Sequence, residues 1–84
     1  MELNELRNQI DQIDKEMAVL FEKRMKIVKQ IGEYKKENNL PILDKKREEE
    51  AIEKNSKYLH DEHLIPLYKE FLITLMNLSK RNEE

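Results

Sequence analysis

The sequence predicts an all-α fold of three helices per chain, the first of them long, and three observations lead there. Charged residues make up 40% of the 84-residue chain and hydrophobic ones 38%, with one glycine and two prolines, a composition typical of long amphipathic helices. From Leu3 to Tyr34 the apolar residues recur in alternating steps of three and four, the period of a helical seam. The breaks are few, and each carries the residues that end or start a helix.

Helix 1 is expected from about Leu3 to about Asn38. Its seam runs Leu3, Leu6, Ile10, Ile13, Met17, Leu20, Arg24, Ile27, Ile31 and Tyr34, an a/d heptad pattern. A second set, Leu20, Phe21, Val28 and Ile31, widens the apolar face, so the helix packs against more than one neighbour. About 36 residues make a rod of about 54 Å, whereas a compact chain of this length has a radius of gyration of about 12 Å. The rod overhangs its own globule and leaves an apolar stripe in water. A second copy is the expected cover, giving an intertwined helical homodimer.

In "ENNLPILDKK", Asn38 and Asn39 suit a helix C-terminus, and Pro41 biases Leu40 away from the helical region. Asp44 is a natural N-cap for helix 2, expected to run to about Lys57. After the loop "KYLHDEHLI", helix 3 starts near Leu64 to Pro66, because proline is tolerated in a first turn. Its core face is expected to be Leu64, Tyr68, Phe71, Leu75 and Leu78, flanked by Ile65, Leu72 and Met76.

Residues 1–84 are expected to form a single domain, near the lower size limit for an independent core. Sixteen basic residues against 18 acidic ones give a formal charge of -2, which argues against a nucleic-acid binder. No apolar run reaches the length of a membrane span, and "MELNELRNQ" lacks the regions of a signal peptide. With no cysteine there is neither a disulfide framework nor a thiolate nucleophile. A cytoplasmic protein without metal or cofactor is expected.

Arg24 breaks the pattern, since it occupies a seam position where an unpaired buried charge is unfavourable. It needs an anion or water beside it, and a ligand carboxylate would serve. Lys35 lies 11 residues on, on the same face to within about 20° and about 16 Å along the axis, so the two cations can bracket a small molecule. Arg7 is about 25 Å upstream of Arg24, too far to share that ligand within one chain. Antiparallel packing of two copies would bring the partner's Arg7 to Arg24, Lys35 and Arg47, and four cations suggest a dicarboxylate. Arg47 and Glu48 fall in the first turn of helix 2, beside free backbone N–H groups and the positive end of the helix dipole. Glu48 is better suited to accept from a ligand hydroxyl.

The plainer readings carry weight. A run such as "DKKREEE" is usually a solvated helix face, and a lone arginine in a heptad seam more often sets register or pairs with glutamate. His60 and His63, with Asp61 and Glu62, read as a solvated loop rather than a metal site. Gly32 sits inside helix 1 at a penalty of up to about 1 kcal/mol relative to alanine, so it marks close helix packing beside the pocket. Ile31, Val28 and Met76 are expected to line the apolar side of the site.

The joint order of "LRNQIDQIDKEMAVLFEKRMKIVKQIGEYK", "LPILDKKREEEAI" and "FLITLMNLSK" resembles the all-helical chorismate mutase family, found as free enzymes and as domains of shikimate-pathway fusions. The resemblance covers Leu6 to about Glu83. It implies an intertwined dimer of three-helix subunits and the conversion of chorismate to prephenate by a concerted [3,3] rearrangement, in phenylalanine and tyrosine biosynthesis, without a cofactor. By this resemblance Arg7 is the arginine donated across the dimer, and Arg24 and Lys35 are the helix 1 cations. Asp44, Arg47 and Glu48 are the helix 2 contacts, and Ser79 lies near a substrate carboxylate. Asp14 matches a family aspartate, for which a structural ion pair is expected.

One position departs from the commoner family pattern. Four residues after Ser79, where many members carry a glutamine that donates to the ether oxygen, this chain has Glu83. An ionised carboxylate cannot donate, so Glu83 is expected to help only when protonated, and activity to decline as pH rises. The competing reading leaves Glu83 as a frayed terminal residue, with Asn82 or water as the donor. Two other functions fit the pattern: an isochorismate pyruvate lyase of the same fold, and a non-enzymatic helical dimerisation or regulatory module.

Overall fold

The computed structural model describes residues 2–84. Helix α1 spans Leu3–Glu37, α2 Lys45–Ser56 and α3 Ile65–Glu83, with a 3-10 turn over Glu62–Leu64 leading into α3. Among the described residues there is no strand, and no helix is long and apolar enough to cross a membrane.

The helix ends follow the local chemistry. After α1, Asn39 adopts φ 56°, a left-handed conformation that asparagine tolerates better than most residues. Leu40 N–H then returns to the Lys35 carbonyl at 2.8 Å and Asn39 N–H to that of Lys36 at 3.3 Å, a Schellman closure that satisfies the last carbonyls. Pro41 stands just beyond. Asp44 caps α2 as expected, its Oδ1 accepting from Arg47 N–H at 3.0 Å. Asp61 caps the 3-10 turn in the same way, accepting from His63 N–H at 3.0 Å, and Pro66 falls in the first turn of α3.

Helix α3 packs against both α1 and α2, whose backbones meet only through it. The apolar core is small: Val28 from α1 with Leu72 and Met76 from α3. Here the core face of α3 differs from the expected one. Leu72, Met76 and Ser79 turn inward, while Leu64, Phe71 and Leu78 stay exposed. Apolar periodicity marks both stripes alike, and the stripe nearer Gly32 is the one that can approach α1 closely.

The remaining apolar stripe of α1 has no cover within the chain. Its nine apolar seam residues, Leu3 to Tyr34, are each between 43% and 62% exposed. The molecule measures 54 × 25 × 16 Å with a radius of gyration of 15.9 Å, well above the about 12 Å of a compact chain of this length. The overhang inferred from helix length is therefore present.

Gly32 is where α1 and α3 come closest. A Cβ built there would touch the Glu83 carbonyl oxygen and lie 2.8 Å from Glu83 Cα, so any side chain displaces the end of α3. Gly32→Ala gains up to about 1 kcal/mol of helix propensity but meets backbone, and overpacking of this kind typically costs about 1–3 kcal/mol. The variant is predicted to unfold at lower urea concentration than the wild type. An unchanged or higher midpoint would show that α3 does not need this approach.

Candidate active site

The three helices each present one stripe to a common cleft of about 260 Å³. From α1 come Arg24, Val28, Ile31 and Lys35; from the start of α2, Asp44, Arg47, Glu48 and Ala51; from α3, Met76, Ser79, Lys80 and Glu83. The α1 residues recur in steps of four and three, and the α2 and α3 sets each fall at positions i, i+3, i+4 and i+7, spacings that keep side chains on one helical face. Ile42, from the α1–α2 connection, completes the lining. Seven residues singled out from the sequence, Arg24, Lys35, Asp44, Arg47, Glu48, Ser79 and Glu83, thus meet in one place. So do Val28, Ile31 and Met76, expected as its apolar wall.

Lys35 Nζ donates to Glu83 Oε1 and to the Ile42 carbonyl oxygen, each at 2.9 Å, and the Glu83 side chain is only 8% exposed. Lys80 Nζ stands 3.0 Å from Glu48 Oε1. Arg24 Nη1 donates to Ser79 Oγ, whose own proton goes to the Leu75 carbonyl at 2.7 Å. That second bond orients the hydroxyl, leaving its lone pairs toward the guanidinium. Among the described residues, neither Arg24 nor Arg47 has a carboxylate within ion-pair distance. The cleft therefore pairs its two lysines internally and leaves its two arginines available to an outside anion.

Several expectations resolve differently. The Asp44 carboxylate caps α2, so what it offers the cleft is an ordered helix N-terminus. Asn82 is not a cleft donor, because its Nδ2 donates to the Met25 carbonyl at 2.8 Å. Glu83 is not frayed, being held by Lys35. Asp14 has no ion-pair partner among the described residues, since it lies on the exposed part of α1. Arg7 lies on the overhang, away from the cleft lining. A second, apolar groove of about 680 Å³ runs between α1 and α3, lined by Met17, Leu20, Phe21, Tyr68, Phe71 and Leu78 among others. Arg24 borders both groove and cleft.

Lys80 escaped the sequence reading. A lysine near a helix C-terminus normally reads as a solvated residue that complements the dipole, and its partner lies in another helix.

The Lys35–Glu83 pair is a stability element as well. Lys35→Met leaves a mostly buried carboxylate unpaired, and the predicted loss at fixed protein concentration is about 2 kcal/mol in urea unfolding. Adding Glu83→Gln is predicted to recover part of that loss, because it removes the orphaned charge. Additive losses in the double variant would contradict the pairing.

The chorismate mutase type II family model matches residues 6–84. The chain is 38% identical over 88 residues to a bifunctional chorismate mutase/prephenate dehydratase of Aquifex aeolicus, covering 95% of this chain and 24% of that protein. It is 44% identical over 46 residues to a T-protein of Haemophilus influenzae, covering 55% of this chain and 12% of that one. The chain thus spans a quarter or less of the length of these curated relatives. A conserved hypothetical protein from Pyrococcus furiosus of solved structure superposes with a TM-score of 0.81 at 35% identity, covering 98% of this chain and 95% of that one. A family match over nearly the whole chain, joined to a three-helix fold with a cationic cleft, places this protein in the chorismate mutase type II family.

Proposed function

We propose that the chain is a chorismate mutase, converting chorismate to prephenate, and that it works as a homodimer. The observation that carries this reading is a pair of arginines with no carboxylate in ion-pair distance, in a cleft whose two lysines are paired with Glu83 and Glu48. A dicarboxylate supplies the missing counter-charge, and planar guanidinium groups pair with carboxylates in a bidentate way that lysine cannot.

The rearrangement breaks the ether C–O bond as a C–C bond forms in the same molecule, so it asks for no nucleophile or proton transfer. Catalysis rests on holding the compact diaxial conformer and stabilising the negative charge that grows on the ether oxygen. Arg24, positioned by Ser79, grips one carboxylate, and the partner's Arg7 grips the other. Arg47 adds positive potential. Lys35, with one N–H left beside its bonds to Glu83 and the Ile42 carbonyl, reaches the ether oxygen, while Glu48 and the backbone at the start of α2 hold the ring hydroxyl. Val28, Ile31 and Met76 face the apolar side of the ring.

The dimer reading draws on the uncovered seam and on Arg24 bordering the apolar groove. A second copy laid on that groove closes the cleft and can deliver its own Arg7. A cytoplasmic location belongs to the same proposal.

Two tests follow. Arg7→Ala and Arg24→Ala variants, each inactive alone, are predicted to recover about a quarter of wild-type activity when mixed in equal amounts, because half the dimers then hold one intact site of two. No recovery after subunit exchange would place Arg7 outside the site; turnover of isochorismate but not chorismate would make the protein a lyase. The Glu83 carboxylate, paired as an anion with Lys35, has no proton to give the ether oxygen. Glu83→Gln, whose amide can donate to that oxygen, is therefore predicted to raise kcat. An unchanged or lower kcat would contradict that role.

A further inference from the structure

The mutase reading gives a task to every charged group of the cleft except Lys80. This lysine lines the cleft next in sequence to Ser79, the residue that receives Arg24. Its ammonium stands 3.0 Å from Glu48 Oε1, with the two side chains 29% and 25% exposed. The contrast is with the surface pair Lys26–Glu22, at 3.6 Å and 73% and 75% exposed, where water screens the attraction almost fully.

Glu48 poses a problem that Lys80 answers. A flexible carboxylate in a cleft with two guanidinium groups that lack a carboxylate partner is a competitor for them: rotated toward Arg24 it would occupy the position that a ligand carboxylate needs. A compact ammonium bound to Oε1 holds the side chain against α3 and leaves Oε2 as an acceptor. Lysine suits this, because a point charge contacts one oxygen where an arginine fork would tend to take both.

We propose that Lys80 is a positioning residue: by pairing with Glu48 it keeps that carboxylate off the carboxylate-binding arginines and presents it to the ligand hydroxyl. The assignment rests on the mutase reading. Ser79 and Lys80, neighbours on α3, then set two features of one site, the orientation of its main cation and the placement of its acceptor.

Steady-state kinetics with chorismate test this on the wild type, K80M, K80R, E48Q and the E48Q/K80M double variant. A misplaced Glu48 weakens binding of ground state and transition state together, so K80M is expected to raise KM about ten-fold and change kcat less than about two-fold. K80R is expected to recover only part of the loss, because its fork tends to take both Glu48 oxygens. In the E48Q background, K80M is expected to add nothing beyond about two-fold, since the group it positions is already neutral. An unchanged KM in K80M overturns the assignment, and so does a full additive effect on E48Q, which would make Lys80 a direct ligand cation. Far-UV circular dichroism of K80M is expected to match the wild type; loss of its helices would make Lys80 a structural residue and equally overturn the assignment. Wild-type protein that leaves chorismate untouched removes the mutase reading itself, an outcome visible before any variant is compared.

Discussion

The last two turns of α3 lie against α1 at a distance that only a glycine at position 32 permits. Almost everything functional depends on that approach. It seats Ser79 beside Arg24 and Glu83 beside Lys35, and it turns Lys80 toward the start of α2. A larger residue would hold the two helices apart, and the cleft would lose one of its three walls. The helix-propensity penalty of a mid-helix glycine, up to about 1 kcal/mol, is thus tied to the geometry of the site rather than to any turn or bend.

Once the walls are in place, the charges sort themselves by chemistry. The lysines are committed to carboxylates of the chain, one at Glu83 and one at Glu48. The arginines keep their charge for something else, and a hydroxyl steers one of them. Arg24 is also the residue at the boundary between the polar cleft and the apolar groove. A cation in that position, in a chain with three buried apolar side chains among the described residues, adds little to folding. Its presence fits the proposed role in ligand binding.

Much of this was legible in the sequence, for reasons that can be named. Asp44 as a cap and Asn39 before Pro41 as a stop are local signals, decided within a few residues. Arg24 was conspicuous because a charge interrupts an otherwise apolar stripe, and Gly32 because the chain has no other glycine. The face of α3 was misjudged because Leu64, Phe71 and Leu78 repeat with the same period as Leu72 and Met76. Periodicity marks an apolar stripe without saying whether the same chain covers it. Lys80 was missed because its partner is remote in sequence, and Asn82 was read as a possible donor because nothing local shows that its amide is bound to a carbonyl of another helix. Arg7 lies on the overhang, so its destination is not set by one chain's contacts.

The most direct measurement follows chorismate absorbance, with prephenate identified as product, for the wild type and Arg24→Ala, alongside urea unfolding of both. If Arg24 is the carboxylate clamp, the wild type turns chorismate over and the variant loses about 100-fold or more in kcat/KM, while its stability changes by no more than about 1 kcal/mol, the worth of the hydrogen bond to Ser79. A wild type that leaves chorismate unchanged, or a variant that retains full activity, would contradict that role.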